Sequence, residues 1–266
     1  MEIIIKSSDY EVGEYAAALF AEEISENSQA VIGVATGSSP ESTYRHLASR
    51  VENGLDVSRV KAFALDEYVG IELDHQQSYH SVINREVVQQ VGLAPENVRV
   101  LDGTAQDVVA ECADFEAHIA SSGGIDIQLL GIGANGHIGF NEPGSSLVSR
   151  TRIKTLAPHT VKDNARFFDG DQSQVPIHCL TQGIGTIMEA RKIVLVAIGR
   201  NKAQAVAGLV EGPIGTFCPA SILQMHPNVS VIVDQEAAAE LRNIEYYNYA
   251  RDNMPTWQRP DVHTAE

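Results

Sequence analysis

The strongest constraint on this chain is a rhythm. Short runs of β-branched and apolar residues are each followed by a longer stretch with apolar residues at helical spacing. Residues 3–5 read as a strand, followed by a helix over Asp9–Glu26 with Val12, Tyr15, Ala16, Leu19 and Phe20 on one face. Residues 31–35 are a second strand, after which Ser39 and Pro40 offer an N-cap and a first-turn proline for a helix to Val51. Residues 60–65 (strand), 78–91 (helix), 98–101 (strand), 105–120 (helix) and 125–131 (strand) continue the pattern. A strand at 193–198, a helix at 201–210, a strand at 229–233 and a last helix to Arg251 complete it. Such apolar strands alternating with helices form a mostly parallel sheet covered on both faces. The expected fold class is therefore α/β, doubly wound and Rossmann-like, with a single domain over residues 1–251. Residues 151–186 break the rhythm and read as a lid-like insertion. Residues 252–266, with two prolines and no periodicity, read as a flexible tail.

Composition narrows the class of partner. A net charge of −16 argues against a nucleic-acid or anionic-membrane surface, either of which needs a basic face. It leaves room for a small anionic ligand, because a few local cations reverse the field inside a cleft. The three cysteines, Cys112, Cys179 and Cys218, are widely spaced with no CxxC pair, which suits reduced thiols. No apolar run approaches the roughly 20 residues that span a bilayer. The opening Met1-Glu2-Ile3-Ile4-Ile5-Lys6 is too short and too soon polar for a signal peptide. The expected location is the cytoplasm.

In parallel sheets ligands bind beyond the carboxyl ends of the strands, so the polar residues that follow each strand are the candidates. Thr36-Gly37-Ser38-Ser39-Pro40 joins a strand end to a helix start, where free N–H groups and the helix dipole make a phosphate seat. It lacks the Gly-Lys-Ser/Thr of a Walker A loop, and an ordinary capped turn would look the same. Asp66 and Glu67 follow an apolar strand; neighbours on a strand point to opposite faces, so one of them faces a ligand and can act as a general base. A solvated acidic turn is the plain alternative. The stretch from Gly131 to Gly144 places Asn135, His137 and Glu142 in a glycine-rich loop. Gly131, Gly133 and Gly136 match the dinucleotide fingerprint, but no good helix start and no acidic residue about 20 positions on accompany them. His137 and Glu142 are five apart with no nearby cysteine, so no metal site is expected; an acid–base relay fits better than a backbone-satisfied histidine. Arg152, Lys154, Arg166 and Lys202 are isolated cations, each a surface charge unless a cleft gathers them.

These segments together resemble the glucosamine-6-phosphate deaminase family over nearly the whole chain, residues 3–249. The resemblance rests on Ala35-Thr36-Gly37-Ser38-Ser39-Pro40, Leu65-Asp66-Glu67-Tyr68-Val69-Gly70, Gly136-His137-Ile138-Gly139-Phe140-Asn141-Glu142-Pro143, Ser149-Arg150-Thr151-Arg152-Ile153-Lys154-Thr155-Leu156 and Asn164-Ala165-Arg166-Phe167-Phe168. It implies a reaction in amino-sugar catabolism that converts glucosamine 6-phosphate and water to fructose 6-phosphate and ammonia, with no cofactor and no metal. By resemblance, His137 handles the ring-opening proton, positioned by Glu142 and Asn135. Asp66 takes the C2 proton and returns it at C1, while Gly37, Ser38, Ser39, Arg166 and Lys202 hold the phosphate. The related 6-phosphogluconolactonases share the fold and the phosphate turn. A lactonase-like hydrolase would need the turn and His137 but not Asp66, and a non-catalytic sugar-phosphate sensor would need neither proton-transfer group.

Some relatives carry Asp at the position of Asn135. A neutral amide can accept a hydrogen bond from imidazole without stabilising imidazolium, so the resemblance places the pH limb governed by His137 lower here. Ser145, Arg152, Lys154, Thr155 and Tyr246 resemble the residues that bind an N-acetylglucosamine 6-phosphate effector in activated members. Lys192 replaces an acidic residue of those members, and Glu2 alters the N-terminus that contributes to the site. Such a site lies between subunits, so the resemblance also implies a homo-oligomer, a hexamer.

Overall fold

The structure, a computed structural model, describes residues 1–260. The chain opens with β1 (Glu2–Lys6) and α1 (Asp9–Glu26), whose first turn is capped by the Ser8 side chain accepting from the Glu11 N–H. Then come β2 (Val31–Val34), α2 (Ser38–Glu52), β3 (Lys61–Ala64), β4 (Asp66–Tyr68) and α3 (Tyr79–Ile83), which runs on as a π-helical turn, Asn84–Gln89. β5 (Val98–Arg99), α4 (Val108–Ser121) and β6 (Ile127–Leu130) follow, with Asp107 accepting from the N–H groups of Val109 and Ala110 at the α4 start. The remainder is β7 (Arg152–Thr155), α5 (Pro158–Asn164), β8 (His178–Thr181), α6 (Ile184–Met188), β9 (Lys192–Ala197), α7 (Ala203–Val210), β10 (Val229–Asp234) and α8 (Ile244–Asp252).

Seven strands make one parallel sheet in the order β1-β10-β9-β6-β2-β3-β5. The chain builds outward from β2 through β3 to β5, then returns to the other side of β2 with β6 and continues outward through β9 and β10. The strand order reverses between β2 and β6, which is where doubly wound sheets open a ligand crevice. The apolar runs read as strands are buried throughout: Leu129 and Leu130 of β6 and Leu195 and Val196 of β9 have no exposed surface.

Residues 151–186 are ordered elements rather than a structureless insertion. β7 and β8 pair antiparallel, and β8 pairs antiparallel with β4, forming a second, three-stranded sheet. Its own apolar cluster includes Tyr68, Phe140, Leu156 and Phe168. Alternation hid this sheet: β7 reads Arg-Ile-Lys-Thr and β4 is three residues long. The expected tail begins by folding back, with Met254 buried and Arg259 donating to the carbonyls of Met254 and Asp252. Positions 261–266 lie outside the described residues.

Leu129 sits in the middle strand at the crevice, where truncation leaves a cavity that neighbouring strands cannot close. Leu129→Ala is expected to cost about 2–5 kcal/mol. A lower urea midpoint at unchanged slope would show it.

Candidate active site

β9, β6, β2 and β3 are consecutive in the sheet and parallel, so their carboxyl ends lie side by side. Each end carries one of the motifs, and together with α5 they line a cavity of about 740 Å³.

After β2 the chain turns through Gly37 at φ 107°, a conformation that favours glycine, into α2. Gly37, rather than Ser39, is the N-cap, and no side chain bonds the first turn. Ser38 and Ser39 are therefore first-turn residues whose N–H groups have no helical carbonyl to meet. The strand end is fixed by Tyr44, whose hydroxyl accepts from the Ala35 N–H at 3.0 Å and donates to the Ala35 carbonyl at 2.7 Å. Lys202 follows β9, and Arg166 comes from the single turn Ala165–Phe167 after α5. Burial and the nearby Arg166 guanidinium both pull the Lys202 ammonium below its ordinary range. Two like charges gathered in one cavity next to free helix N–H groups form an anion seat.

After β3, Asp66 and Glu67 take opposite sides, as strand alternation requires. Asp66 lines the cavity and is only 6% exposed. Burial, then the Glu67 carboxylate, push its carboxyl well above the ordinary range, opposed by a bond from the Phe140 N–H. Glu67 is fully buried and accepts from the N–H groups of Tyr68, Tyr79 and His80, so it caps α3 and is unavailable to a ligand.

After β6, the loop folds His137 back over its own start. A Cβ on Gly133 would lie 2.2 Å from the imidazole, so only glycine permits this position. His137 Nδ1 is 3.4 Å from Glu142 Oε2. Glu142 also takes the Thr160 hydroxyl and the Ala157 N–H from the start of α5, and Asn135 Nδ2 at 2.7 Å. Burial alone would raise the Glu142 carboxyl; His137, Thr160 and Asn135 more than offset that and hold it at about 2. Asn135 differs from expectation: its Oδ1 accepts from the backbone N–H of His137 at 3.2 Å, not from the imidazole. Its amide meets Glu142 and, at 2.7 Å, His159 Nε2. Asn135 thus reaches the imidazole through Glu142.

Of the residues assigned to the effector set, Arg152, Lys154 and Thr155 are together on β7. Arg152 donates to Asn141 Oδ1 at 2.9 Å, and Asn141 Nδ2 donates to the carbonyls of Ile138 and Gln182. Ser145 is buried and its hydroxyl has no hydrogen-bond partner among the described residues. Tyr246 stands exposed on α8, which packs beside β1 at the far edge of the large sheet. Sequence reading missed Thr160, His159 and Tyr79. The first two sit in the arrhythmic middle segment, and Tyr79 lines the cavity from a five-residue helix; a proline opening α5 at Pro158 was the only local signal.

The chain resembles known proteins over nearly its whole length. Residues 8–232 match the family model for glucosamine-6-phosphate isomerases/6-phosphogluconolactonase. The chain is 53% identical over 259 residues to a glucosamine-6-phosphate deaminase of Arthrobacter sp. (strain FB24), covering 97% of this chain and 99% of that one. It is 52% identical over 266 residues to one of Bifidobacterium longum (strain NCC 2705), covering 97% and 98%. Among solved structures, a monomeric glucosamine-6-phosphate deaminase superposes with TM-score 0.87 at 41% identity, covering 90% of this chain and 100% of that one. A 6-phosphogluconolactonase from Trypanosoma brucei shares the fold, with TM-score 0.72 at 21% identity over 90% and 98% of the two chains.

The raised Asp66 carboxyl has a consequence for stability. Between the unfolded carboxylate value, about 3.9, and its higher folded value, the folded chain holds a proton that the unfolded chain has released. This group's contribution to stability therefore falls as pH rises through that window. Asp66→Asn removes the dependence, and is expected to raise the melting temperature at about pH 7.5 while the gain shrinks towards about pH 4. Calorimetry of both proteins at the two pH values measures it.

Proposed function

The chain belongs to the family of glucosamine-6-phosphate isomerases and 6-phosphogluconolactonases, and within it we propose that this protein is the deaminase, converting glucosamine 6-phosphate and water to fructose 6-phosphate and ammonia. The observation that carries the reading is that Asp66 and His137 face one cavity from the ends of β3 and β6, with the anion seat of β2 and β9 in the same space. A lactonase or a sensor has no use for a buried carboxyl at Asp66.

Ser38 and Ser39, through the free N–H groups of the α2 start, hold the phosphate with Arg166 and Lys202, which anchors the sugar at its far end. Ring opening moves a proton from the anomeric hydroxyl to the ring oxygen. His137 carries that proton, and the ionised Glu142 stabilises the imidazolium formed on the way, with Asn135 and Thr160 fixing the carboxylate. The carbonyl of the open aldehyde makes the C2 proton acidic. Asp66 removes it to give an enolamine and returns it at C1, leaving an imine at C2 that water hydrolyses to ketone and ammonia. A carboxylate with a raised pKa is the stronger base for this step, as general-base catalysis requires. The reaction breaks a C–N bond with water, so the enzyme is a hydrolase as well as an isomerase. Its substrate and three free thiols suit the cytoplasm.

The same reading extends to regulation. Arg152 is bonded to Asn141, and Asn141 to the loop that carries His137, so an acetylated sugar phosphate bound at Arg152, Lys154 and Thr155 would bear on the catalytic loop. Tyr246 is on α8 beside β1, whereas Arg152, Lys154 and Thr155 are on the three-stranded sheet, and we read the five-residue set as completed by a second copy of the chain, as in a hexamer. Lys192 is paired with Glu23 at 2.8 Å and takes no part.

An ammonia-release assay on glucosamine 6-phosphate tests the main reading; a wild type that releases none refutes it. Asp66→Asn is expected to lower kcat by about 10²- to 10⁴-fold, and full activity in that variant would reject the assigned base. Adding N-acetylglucosamine 6-phosphate is expected to change the initial-rate curve and the sedimentation coefficient to follow an oligomer. Curves unchanged by the effector would remove the regulatory reading and leave the catalytic one intact.

A further inference from the structure

His159 has no part in the reaction derived above, yet it stands beside the groups that do. We propose that His137, Glu142 and His159 form a binding site for a divalent transition-metal ion of the zinc type, and that an ion held there stops the reaction by occupying the ring-opening histidine. The proposal goes beyond the deaminase reading and leans on it only for the inhibition.

The case is geometric first. A tetrahedral zinc ion held by imidazole and carboxylate at about 2.0–2.1 Å separates its ligand atoms by about 3.3–3.4 Å. His137 Nδ1 lies 3.4 Å from Glu142 Oε2, and His159 Nε2 lies 3.8 Å from the same oxygen. One ligand atom from each of the three residues falls within 4.8 Å of the other two. The widest of these separations, up to 4.8 Å, closes by a movement of His159, whose side chain is exposed and free to swing in.

A second observation is independent of the spacing. His137 Nδ1 is buried and has no hydrogen-bond partner among the described residues. Its approach to Glu142 is within range but misaligned for a hydrogen bond. A buried ring nitrogen close to a carboxylate oxygen but misaligned for a hydrogen bond to it can turn, with that oxygen, towards one cation between them. Asn135 currently bridges Glu142 Oε2 and His159 Nε2 with its amide nitrogen, so an entering ion displaces that amide. Three protein ligands leave a fourth position for water, and an ion with its water seated on His137, which lines the substrate cavity, competes with the sugar for that space.

The sequence concealed this because the third ligand is brought in by α5, far along the chain from the loop. Cysteine is the rival ligand: Cys218 Sγ lies beside Gly136 on the same loop, close enough that a Cβ there would meet it at 2.6 Å.

The test uses the full chain, stripped of metal and titrated with Zn²⁺ against a chromogenic chelator, with Co²⁺ absorption bands as a second readout. One ion per chain is expected, bound at least about tenfold more weakly by His159→Gln and unchanged in Cys218→Ser. Zn²⁺ is expected to suppress ammonia release by the wild type competitively with substrate and reversibly by EDTA. Zn²⁺ is expected to lower ammonia release by His159→Gln, relative to that variant's own rate in EDTA, far less than it lowers that of wild type. The proposal is overturned if no ion binds, if His159→Gln holds it as tightly as wild type, or if Cys218→Ser loses it. The binding arms need no turnover, so they decide the metal site even if the deaminase reading fails.

Discussion

Parallel pairing obliges each strand to deliver its carboxyl end to the same edge of the sheet, and this chain uses that obligation four times in a row. β9, β6, β2 and β3 are neighbours, so Lys202, the His137 loop, the Ser38 turn and Asp66 meet although they are spread over most of the sequence. No long-range side-chain bond is needed to bring them together; the ladder does it. The buried apolar faces of those strands, each fully buried Leu or Ile contributing about 1.5–3 kcal/mol, supply the stability that lets polar groups be held in a dry cavity. Reversal of strand order between β2 and β6 then leaves the gap that the ligand fills.

Within that frame one carboxylate organises the loop. Glu142 draws Thr160 and the Ala157 N–H from α5, Asn135 from the loop's first half and His137 across it. Removing a charge from water is costly, and only this number of donors keeps a nearly buried carboxylate ionised. The outcome is that α5 is fastened to the catalytic loop by its acid, while Phe140 and Asn141 of the same loop fasten the small sheet through Thr181 and Arg152. Asp66 is the complementary case: buried with few donors, it is left with a strong appetite for a proton. Asp66 in the cavity and Glu142 behind His137 acquire opposite characters from their surroundings alone.

The large sheet was legible because its strands are apolar on both faces and its helices amphipathic; α1 over Asp9–Glu26 follows from spacing and from Ser8. The residues closing strand ends were legible for the same reason, since the parallel fold fixes where to look. The small sheet was not, because β4 is three residues long and β7 alternates charged with apolar residues, giving no periodic signal above that of a loop. The N-cap of α2 was misplaced by two residues because Ser39-Pro40 imitates a cap, whereas the cavity requires a bare start at Gly37. The part played by Asn135 depends on which atom faces which neighbour, and His159 depends on α5 docking; neither is written in local sequence.

The adjacent pair Asp66 and Glu67 carries a last implication. By composition they are two interchangeable acids. In the folded chain one is bare and proton-hungry, while the other spends its oxygens on the first turn of α3. Transposing the two letters would leave charge, length and hydropathy untouched. It would set a longer acid into the cavity and leave a carboxylate too short to reach the two N–H groups at the start of α3. What the chain encodes at this point is therefore an order, a piece of grammar that no inventory of its residues contains.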